Sequence, residues 1–158
     1  LGLPVRSLVL LEDLRPDEGA HQVLERADAR ERDAALDALL HLLLKLHRAG
    51  VDHGDLNASN VLLRSEGRRL VPRLLDLEGV RCRERLSGGG RRRALAQLNE
   101  SVGDALEGPP RCRFFARYAQ ALPFADGASA LDGIVRESLS RRHRWTGRDC
   151  PRASTPPR

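Results

Sequence analysis

The stretch His53-Gly54-Asp55-Leu56-Asn57-Ala58-Ser59-Asn60 decides the fold, because its spacing is typical of the catalytic loop of phosphotransferases. A second aspartate, Asp76, ends an apolar run sixteen residues after the loop. Phosphoryl transfer depends on positioned charge more than on covalent help from the protein. The spacing predicts a catalytic pair, His53 and Asp55, in which Asp55 accepts the proton of the attacking hydroxyl. Asn60 and Asp76 are the predicted magnesium ligands, because this ion prefers hard oxygen donors.

A β-hairpin is expected between the two predicted metal ligands. Residues 61–64 and 70–75 are apolar runs of strand length, and residues 65–67 are a polar turn that ends in glycine. Such a hairpin would bring Asn60 and Asp76 together at its open end.

Four segments between residues 7 and 101 carry a resemblance to a known family. Their sequences are Ser-Leu-Val-Leu-Leu-Glu-Asp-Leu at 7–14, the loop at 53–60, Leu-Asp-Leu-Glu-Gly-Val-Arg at 75–81 and Leu-Ala-Gln-Leu-Asn-Glu-Ser at 95–101. In order, they resemble the interlobe strand and hinge, the His-small-Asp-Leu-Asn loop, the Ile-Asp-Phe-Asp-x-x-Arg metal segment and the Leu-x-x-Leu-x-x-Ser helix of the lipopolysaccharide kinases. These protein-kinase-like enzymes phosphorylate the Kdo or heptose sugars of the lipopolysaccharide inner core.

The resemblance implies a kinase that uses ATP and Mg²⁺ and transfers the γ-phosphate to a sugar hydroxyl. It implies an α+β fold, the mainly helical C-terminal lobe of a kinase, with a small β-hairpin that carries the catalytic and metal residues. The implied cofactor-binding residues are Leu10 and Glu12 at the hinge and Asn57 in the loop. The expected organisation is an interlobe strand and hinge at 1–14, the lobe at 15–147 and a disordered tail at 148–158.

Two departures from protein kinases point to a different acceptor. Kinases that act on Ser or Thr carry arginine and lysine where this chain has Gly54 and Asn57. Both changes favour a sugar or another small molecule over a protein as the acceptor. Glu78 adds a carboxylate to the metal segment and is either a further ligand or a solvated side chain.

The nucleotide site is expected to be incomplete. A glycine-rich loop over the phosphates and a strand lysine complete this site in kinases. The only lysine, Lys45, falls in a predicted helix, and the only glycine run, residues 88–90, is interpreted as a flexible loop. We therefore expect the N-terminal lobe to be absent from this chain.

Composition predicts an ordered cytoplasmic domain. The chain has 158 residues, of which 41% are hydrophobic and 31% charged, so it is long enough for one core. We expect no signal peptide, and the sequence contains no run of about eighteen apolar residues, which a membrane helix requires. Its three cysteines are widely spaced, which makes a disulfide framework or a zinc site improbable.

The net charge of +5 suits a kinase whose acceptor is an anionic glycolipid. Peripheral contact with the inner membrane is therefore expected. The best local candidate for this contact is the run Arg91-Arg92-Arg93, although a solvated loop or helix start is the simpler interpretation of these residues. Nucleic-acid binding is not expected, because aromatic residues are only 3% of the chain.

Apolar periodicity predicts helices at 28–48, 93–106, 111–122 and 129–142. The first has a wide leucine face, and the third carries Phe114, Phe115 and Tyr118 on an inward stripe. Two alternatives to a lipopolysaccharide kinase remain. One is an aminoglycoside-type or other small-molecule kinase, which also carries glycine at the position of Gly54. The other is a truncated, inactive lobe that binds a partner.

Overall fold

The computed structural model describes residues 14–67, 69–103, 106–139 and 150. The predicted hinge residues Leu10 and Glu12 lie outside these ranges, as does the predicted tail apart from Cys150. The described residues form a mainly helical α+β arrangement with two small sheets, and this agrees with the predicted fold class. The helices are α1 (Ala20–Arg26), α2 (Ala29–Arg48), α3 (Gly88–Ser101), α4 (Gly108–Ala121) and α5 (Gly127–Leu139). The strands are β1 (Glu18–Gly19), β2 (Val51–Asp52), β3 (Val61–Glu66), β4 (Arg69–Leu74) and β5 (Arg81–Cys82).

Helix α2 is the long buried helix that the leucine periodicity predicts. Asp28 caps it, since its carboxylate accepts a hydrogen bond of 2.9 Å from the Glu31 backbone N–H. The chain leaves the helix through Gly50, whose φ of 71° is left-handed. A Cβ at Gly50 would lie 1.9 Å from the Arg83 carbonyl oxygen, so glycine is required there.

The predicted hairpin is confirmed and fixes the position of the loop. Strands β3 and β4 pair antiparallel with Val61 opposite Leu74, and β1 adds to the other side of β3. The Leu75 N–H donates to the Asn60 carbonyl at 2.9 Å, which extends the pairing by one step. Asn60 and Asp76 therefore leave the hairpin at the same end, as predicted.

Helix α3 begins earlier than predicted and contains the glycine run. The interpretation of residues 88–90 as a flexible loop is wrong, because these glycines form the first turn of the helix. Ser87 caps that turn by accepting a hydrogen bond of 3.1 Å from the Gly90 N–H. Gly90 also packs tightly on Leu86, since a Cβ there would lie 2.9 Å from that side chain. Capping and close packing thus override the low helix propensity of glycine.

Helices α4 and α5 also begin before their predicted starts. Pro109 and Pro110 lie in the first turn of α4, where a missing N–H costs no hydrogen bond. The aromatic stripe of α4 is buried as predicted and comprises Phe114, Phe115 and Tyr118.

No helix in the described ranges is both long enough and apolar enough to cross a bilayer.

A disulfide joins Cys112 of α4 to Cys150, with a Cα–Cα distance of 5.1 Å. The expectation of no disulfide was therefore wrong. The reason is geometric, because a separation of 38 residues in the sequence does not indicate that the two cysteines lie close together in the fold. Cys150 is buried, although it falls in the segment predicted to be disordered, while Cys82 is a free and exposed thiol.

Candidate active site

The loop that follows β2 is held in shape by the side chain of Asn57. Its Oδ1 accepts hydrogen bonds of 3.1 Å from the N–H groups of Ser59 and Asn60, and so caps the 3₁₀ turn Ala58–Asn60. Its Nδ2 donates to the Asp55 carboxylate at 3.2 Å. The family resemblance implies a cofactor-binding role for Asn57, but both ends of its side chain are engaged within the loop.

Asp55 and Asn60 are joined by direct hydrogen bonds. Nδ2 of Asn60 donates to the Asp55 carbonyl oxygen at 3.0 Å and to carboxylate oxygen Oδ2 at 3.3 Å. No hydrogen bond or ion pair from the described residues engages Oδ1 of Asn60. The amide thus steadies the exposed carboxylate and keeps an oxygen available for a hard cation.

His53 connects the loop to the segment that carries Asp76. It is only 3% exposed, and its Nε2 lies 2.9 Å from the Leu75 carbonyl oxygen. Because a carbonyl oxygen only accepts, Nε2 carries the proton and donates. His53 Nδ1 is buried and makes no hydrogen bond within the described ranges. The imidazole therefore fixes the distance between the loop and the residue preceding Asp76.

Gly54 is required by backbone geometry. Its φ is 84°, and a Cβ there would lie 3.0 Å from the Gly79 carbonyl oxygen. A Cβ at Gly79 would in turn lie 3.2 Å from the His53 carbonyl oxygen. The loop and the metal segment therefore approach through two glycines, a contact that the sequence comparison with protein kinases did not reveal.

Asp76 adopts a left-handed backbone conformation with φ 53° and ψ 65°. Within the described residues it is the only non-glycine residue with a positive φ. Such conformations cost free energy for L-residues and concentrate at functional sites, although aspartate tolerates them better than most. The exposed carboxylate stands at the end of the hairpin, just before the 3₁₀ turn Leu77–Gly79.

One cavity of about 450 Å³ brings the catalytic and metal segments together. Asp55 and Asp76 both line it, which places the predicted base and one predicted metal ligand in the same space. Asn60 does not line the cavity, but it forms hydrogen bonds to Asp55, which does. The full lining is Asp52, His53, Gly54, Asp55, Asp76, Glu78, Gly79, Arg81 and Arg93.

Two arginines line the cavity beside the carboxylates. Arg81 arrives there because β5 pairs with β2, with Arg81 opposite Asp52. Arg93 comes from α3, and neither guanidinium has an ion-pair or hydrogen-bond partner in the described part of the chain. Arg91 has a different role, since it donates to the carbonyls of Leu122 and Pro123. Only the last residue of the arginine run therefore faces the candidate site.

The oxygen ligands at this site suit a magnesium ion that binds together with a nucleotide better than a metal ion held by protein side chains alone. The described residues contain no group of three or more His, Cys, Asp or Glu side chains arranged to hold a metal. One carboxylate from Asp76 and one amide oxygen from Asn60 are hard ligands, and Mg²⁺ in kinases takes its remaining ligands from phosphates and water. The residues present thus fit a metal that arrives with a nucleotide.

Helix α3 contacts the loop through two side chains that the sequence analysis did not assign to the site, although Ser101 is the serine of the Leu-x-x-Leu-x-x-Ser motif. Gln97 Oε1 accepts from the Leu56 N–H at 3.2 Å, and Nε2 donates to the Gly54 carbonyl at 2.8 Å. Ser101 Oγ accepts from the Ala58 N–H at 2.7 Å. Both residues lie in the 95–101 segment, so the available signal was their helical spacing within a segment that resembles a family motif.

Comparison with proteins of known structure supports the fold. The structure matches that of a protein described as WaaP in complex with acyl carrier protein, with a TM-score of 0.69. The match covers 83% of this chain and 60% of that chain at 22% sequence identity. The described elements therefore correspond to part of the WaaP fold.

Sequence comparison gives relatives that share one segment. A 3-deoxy-D-manno-octulosonic acid kinase of Stenotrophomonas maltophilia (strain K279a) is 38% identical over 66 residues, and one of Xanthomonas axonopodis pv. citri (strain 306) is 39% identical over the same length. Each match covers 42% of this chain and 25% of the relative. The match thus spans a quarter of the length of these curated relatives.

A sequence profile of a protein family matches a longer part of the chain than these relatives do. The profile of the lipopolysaccharide kinase (Kdo/WaaP) family matches residues 1–119. This range is roughly three quarters of the chain and includes the catalytic loop, the metal segment and α3. The chain therefore belongs to the lipopolysaccharide kinase (Kdo/WaaP) family.

Proposed function

We propose that this chain contains the catalytic lobe of an ATP-dependent kinase that phosphorylates a hydroxyl of a Kdo-type sugar acid in the lipopolysaccharide inner core. The observation that carries the proposal is the shared cavity of Asp55 and Asp76, together with the bonds between Asn60 and Asp55. A base and two metal ligands are the groups that phosphoryl transfer requires of this lobe. The names of the relatives supply the acceptor class.

Asp55 is the general base in this proposal. Its Oδ2 is occupied by the amides of Asn57 and Asn60, which leaves Oδ1 to receive the proton of the acceptor hydroxyl. As that oxygen bonds to the γ-phosphorus, the bond between the γ-phosphorus and the bridging oxygen breaks and ADP leaves. His53 acts as a positioning residue, because its bond to Leu75 sets the spacing between Asp55 and Asp76.

Asn60 Oδ1 and the Asp76 carboxylate would hold magnesium when nucleotide is present. The bound ion would neutralise part of the negative charge of the phosphates. The backbone of Leu10 and Glu12, outside the described ranges, is proposed to contact the adenine. Asn57 would contribute to nucleotide binding through the loop shape that it maintains.

Arg81 and Arg93 are proposed to bind the carboxylate of the acceptor. The cavity presents the carboxylates of Asp52, Asp55, Asp76 and Glu78, which would repel an acidic sugar. Two guanidiniums without protein partners in the described residues offset that repulsion and match a carboxylate in geometry.

The test is acceptor competition. The protein, with any residues that its gene encodes before Leu1, is incubated with ATP, Mg²⁺ and either a Kdo-bearing lipid or an aminoglycoside, and phosphate transfer is measured. We expect transfer to the Kdo-bearing lipid alone. Transfer to the aminoglycoside alone would identify the chain as a small-molecule kinase of another class, and nucleotide binding without transfer to either would indicate a non-catalytic lobe. Association with anionic vesicles would support a peripheral position at the cytoplasmic face of the inner membrane.

A further inference from the structure

We infer that Gln97 and Ser101 are positioning residues that hold the catalytic loop in its active geometry. The inference rests on the proposed function, because it assigns both residues to the placement of Asp55 and Asn60. Neither side chain lines the cavity, so neither is proposed to touch substrate. Each acts through the backbone of the loop.

Gln97 holds the backbone on both sides of the proposed base. Its amide donates to the Gly54 carbonyl and accepts from the Leu56 N–H, and these groups belong to the residues before and after Asp55. Gln97 is 9% exposed, so water does not readily replace its amide. A rotation of the loop about Asp55 would therefore break both hydrogen bonds together.

Ser101 holds the other end of the loop. It lies one helical turn after Gln97 and accepts from the Ala58 N–H at the start of the 3₁₀ turn that ends at Asn60. Its own hydroxyl proton is directed to the Leu98 carbonyl at 2.8 Å. One face of α3 thus positions both the base and a proposed metal ligand.

The end of α3 is itself fixed, so it is a rigid support for the loop. The buried guanidinium of Arg111 donates to the carbonyl oxygens of Asn99, Val102 and Gly103 at 2.7 to 2.9 Å. A cation at the C-terminus of a helix also interacts favourably with the helix dipole. Asn99 additionally donates to Ser138 of α5 at 3.0 Å. The positions of Gln97 and Ser101 are therefore determined by three helices.

The first test replaces Gln97 while leaving the cavity unchanged. Gln97→Met removes both hydrogen bonds, and Gln97→Glu keeps the shape but turns a carboxylate oxygen toward the Gly54 carbonyl. Misplacement of a catalytic group by about 1 Å can reduce the rate about 100-fold. We expect kcat to fall about 10- to 100-fold in both variants, with KM for ATP changed less than threefold. Gln120→Glu, an exposed position on α4, is the matched control and should retain kcat.

Amide hydrogen exchange gives a readout that is independent of turnover. The Leu56 N–H should exchange at least tenfold faster in Gln97→Met than in the unsubstituted chain. The Ala58 N–H should respond in the same way to Ser101→Ala, whereas Ser101→Thr keeps a hydroxyl and should restore protection. Circular dichroism at the assay temperature excludes variants that do not fold, and Gln97→Glu then replaces Gln97→Met.

The outcomes separate this inference from the proposed function. Absence of turnover in the unsubstituted protein contradicts the proposed function, while the exchange measurements still decide whether Gln97 and Ser101 hold the loop. Unchanged protection of Leu56 in folded Gln97→Met overturns the inference whatever the activity. Faster exchange with kcat equal to that of Gln120→Glu also overturns it, because the loop would then be loosened without effect on the base.

Discussion

Asn60 holds Asp55 by two hydrogen bonds from one nitrogen, at 3.0 Å to the carbonyl oxygen and 3.3 Å to the carboxylate. This pairing joins the proposed base to a proposed metal ligand through a single side chain. Loss of the Asn60 amide should therefore impair both functions together.

We predict that Asn60→Ala lowers kcat at least 100-fold and raises the Mg²⁺ concentration needed for half-maximal turnover, because a metal ligand and a restraint on the base are lost together. Steady-state kinetics across a Mg²⁺ titration test this. Ser65→Ala, in the exposed end of β3, is a suitable control. A loss of kcat with unchanged Mg²⁺ dependence would contradict the assignment of Asn60 as a metal ligand.

Substitutions of Asp76 should separate its backbone strain from its metal binding. Asp76→Gly relieves the strain of the left-handed conformation and is expected to raise the free energy of unfolding by up to about 1 kcal/mol. Asp76→Ala should lower the free energy of unfolding by about 1 kcal/mol with the fold retained. Both should abolish Mg²⁺-dependent nucleotide binding. Urea denaturation without ligand and an ATP titration provide the two measurements. Equal stability of the two variants would show that the conformation at residue 76 is not strained.

His47 should make stability depend on pH. Burial, followed by the charge of Arg91, lowers its pKa to about 4, while Asp52 acts in the opposite direction. The neutral ring packs on Tyr118, with Nδ1 2.7 Å from the phenol oxygen. A lowered pKa in the folded state means that the unfolded chain binds the proton first, so stability present above pH 6.5 is lost as the pH falls toward 4.

The expected loss at His47 is roughly 3 kcal/mol between pH 6.5 and 4, after subtraction of the same measurement on His47→Gln. Subtraction is needed because carboxylates also titrate in this range. Urea denaturation at intervals of half a pH unit gives the two curves. Parallel curves for the two proteins would show that His47 is protonated equally in both states.

The Cys112–Cys150 disulfide should contribute about 2 to 4 kcal/mol to the free energy of unfolding, because it closes a loop of 38 residues. Cys112→Ser should show this loss under oxidising conditions and behave like the unsubstituted chain in excess reductant. Cys82→Ser is the control, since Cys82 is exposed and unpaired. Equal stability of Cys112→Ser and Cys82→Ser in oxidising buffer would contradict the pairing.

Arg93 should contribute to acceptor affinity and not to nucleotide affinity. Arg93→Gln is expected to raise KM for a Kdo-bearing acceptor about 10- to 100-fold, which corresponds to the loss of a charge-assisted hydrogen bond. Arg85→Gln, an exposed arginine outside the cavity lining, is the matched control. A rise in KM for ATP with unchanged acceptor KM would instead place Arg93 at the phosphates.

The features that could be predicted from sequence are those fixed by local pattern. Leucine periodicity predicted α2, and two apolar runs around a polar turn predicted the hairpin that brings Asn60 and Asp76 to the same end. These signals are contained within short segments. They remain readable without knowledge of the tertiary fold.

The features that could not be predicted depend on contacts between distant segments. Gly90 lies in a helix because Ser87 caps it and Leu86 packs on it, although glycine alone disfavours helix. The pairing of Cys112 with Cys150 and the bonds of Gln97 to the loop likewise require the folded arrangement of α3 and α4. Residue type gave no indication of these partners.

Phosphate transfer from ATP to a Kdo-bearing lipid by the unsubstituted protein and by Asp55→Asn tests the central claim most directly. The asparagine keeps the size of the side chain but cannot accept the hydroxyl proton, and loss of a general base typically costs 10²- to 10⁴-fold in rate. We predict transfer by the unsubstituted protein and about a 1,000-fold lower kcat for Asp55→Asn, with Mg²⁺-dependent ATP binding retained. Equal rates for the two proteins would contradict the assignment of Asp55 as the base.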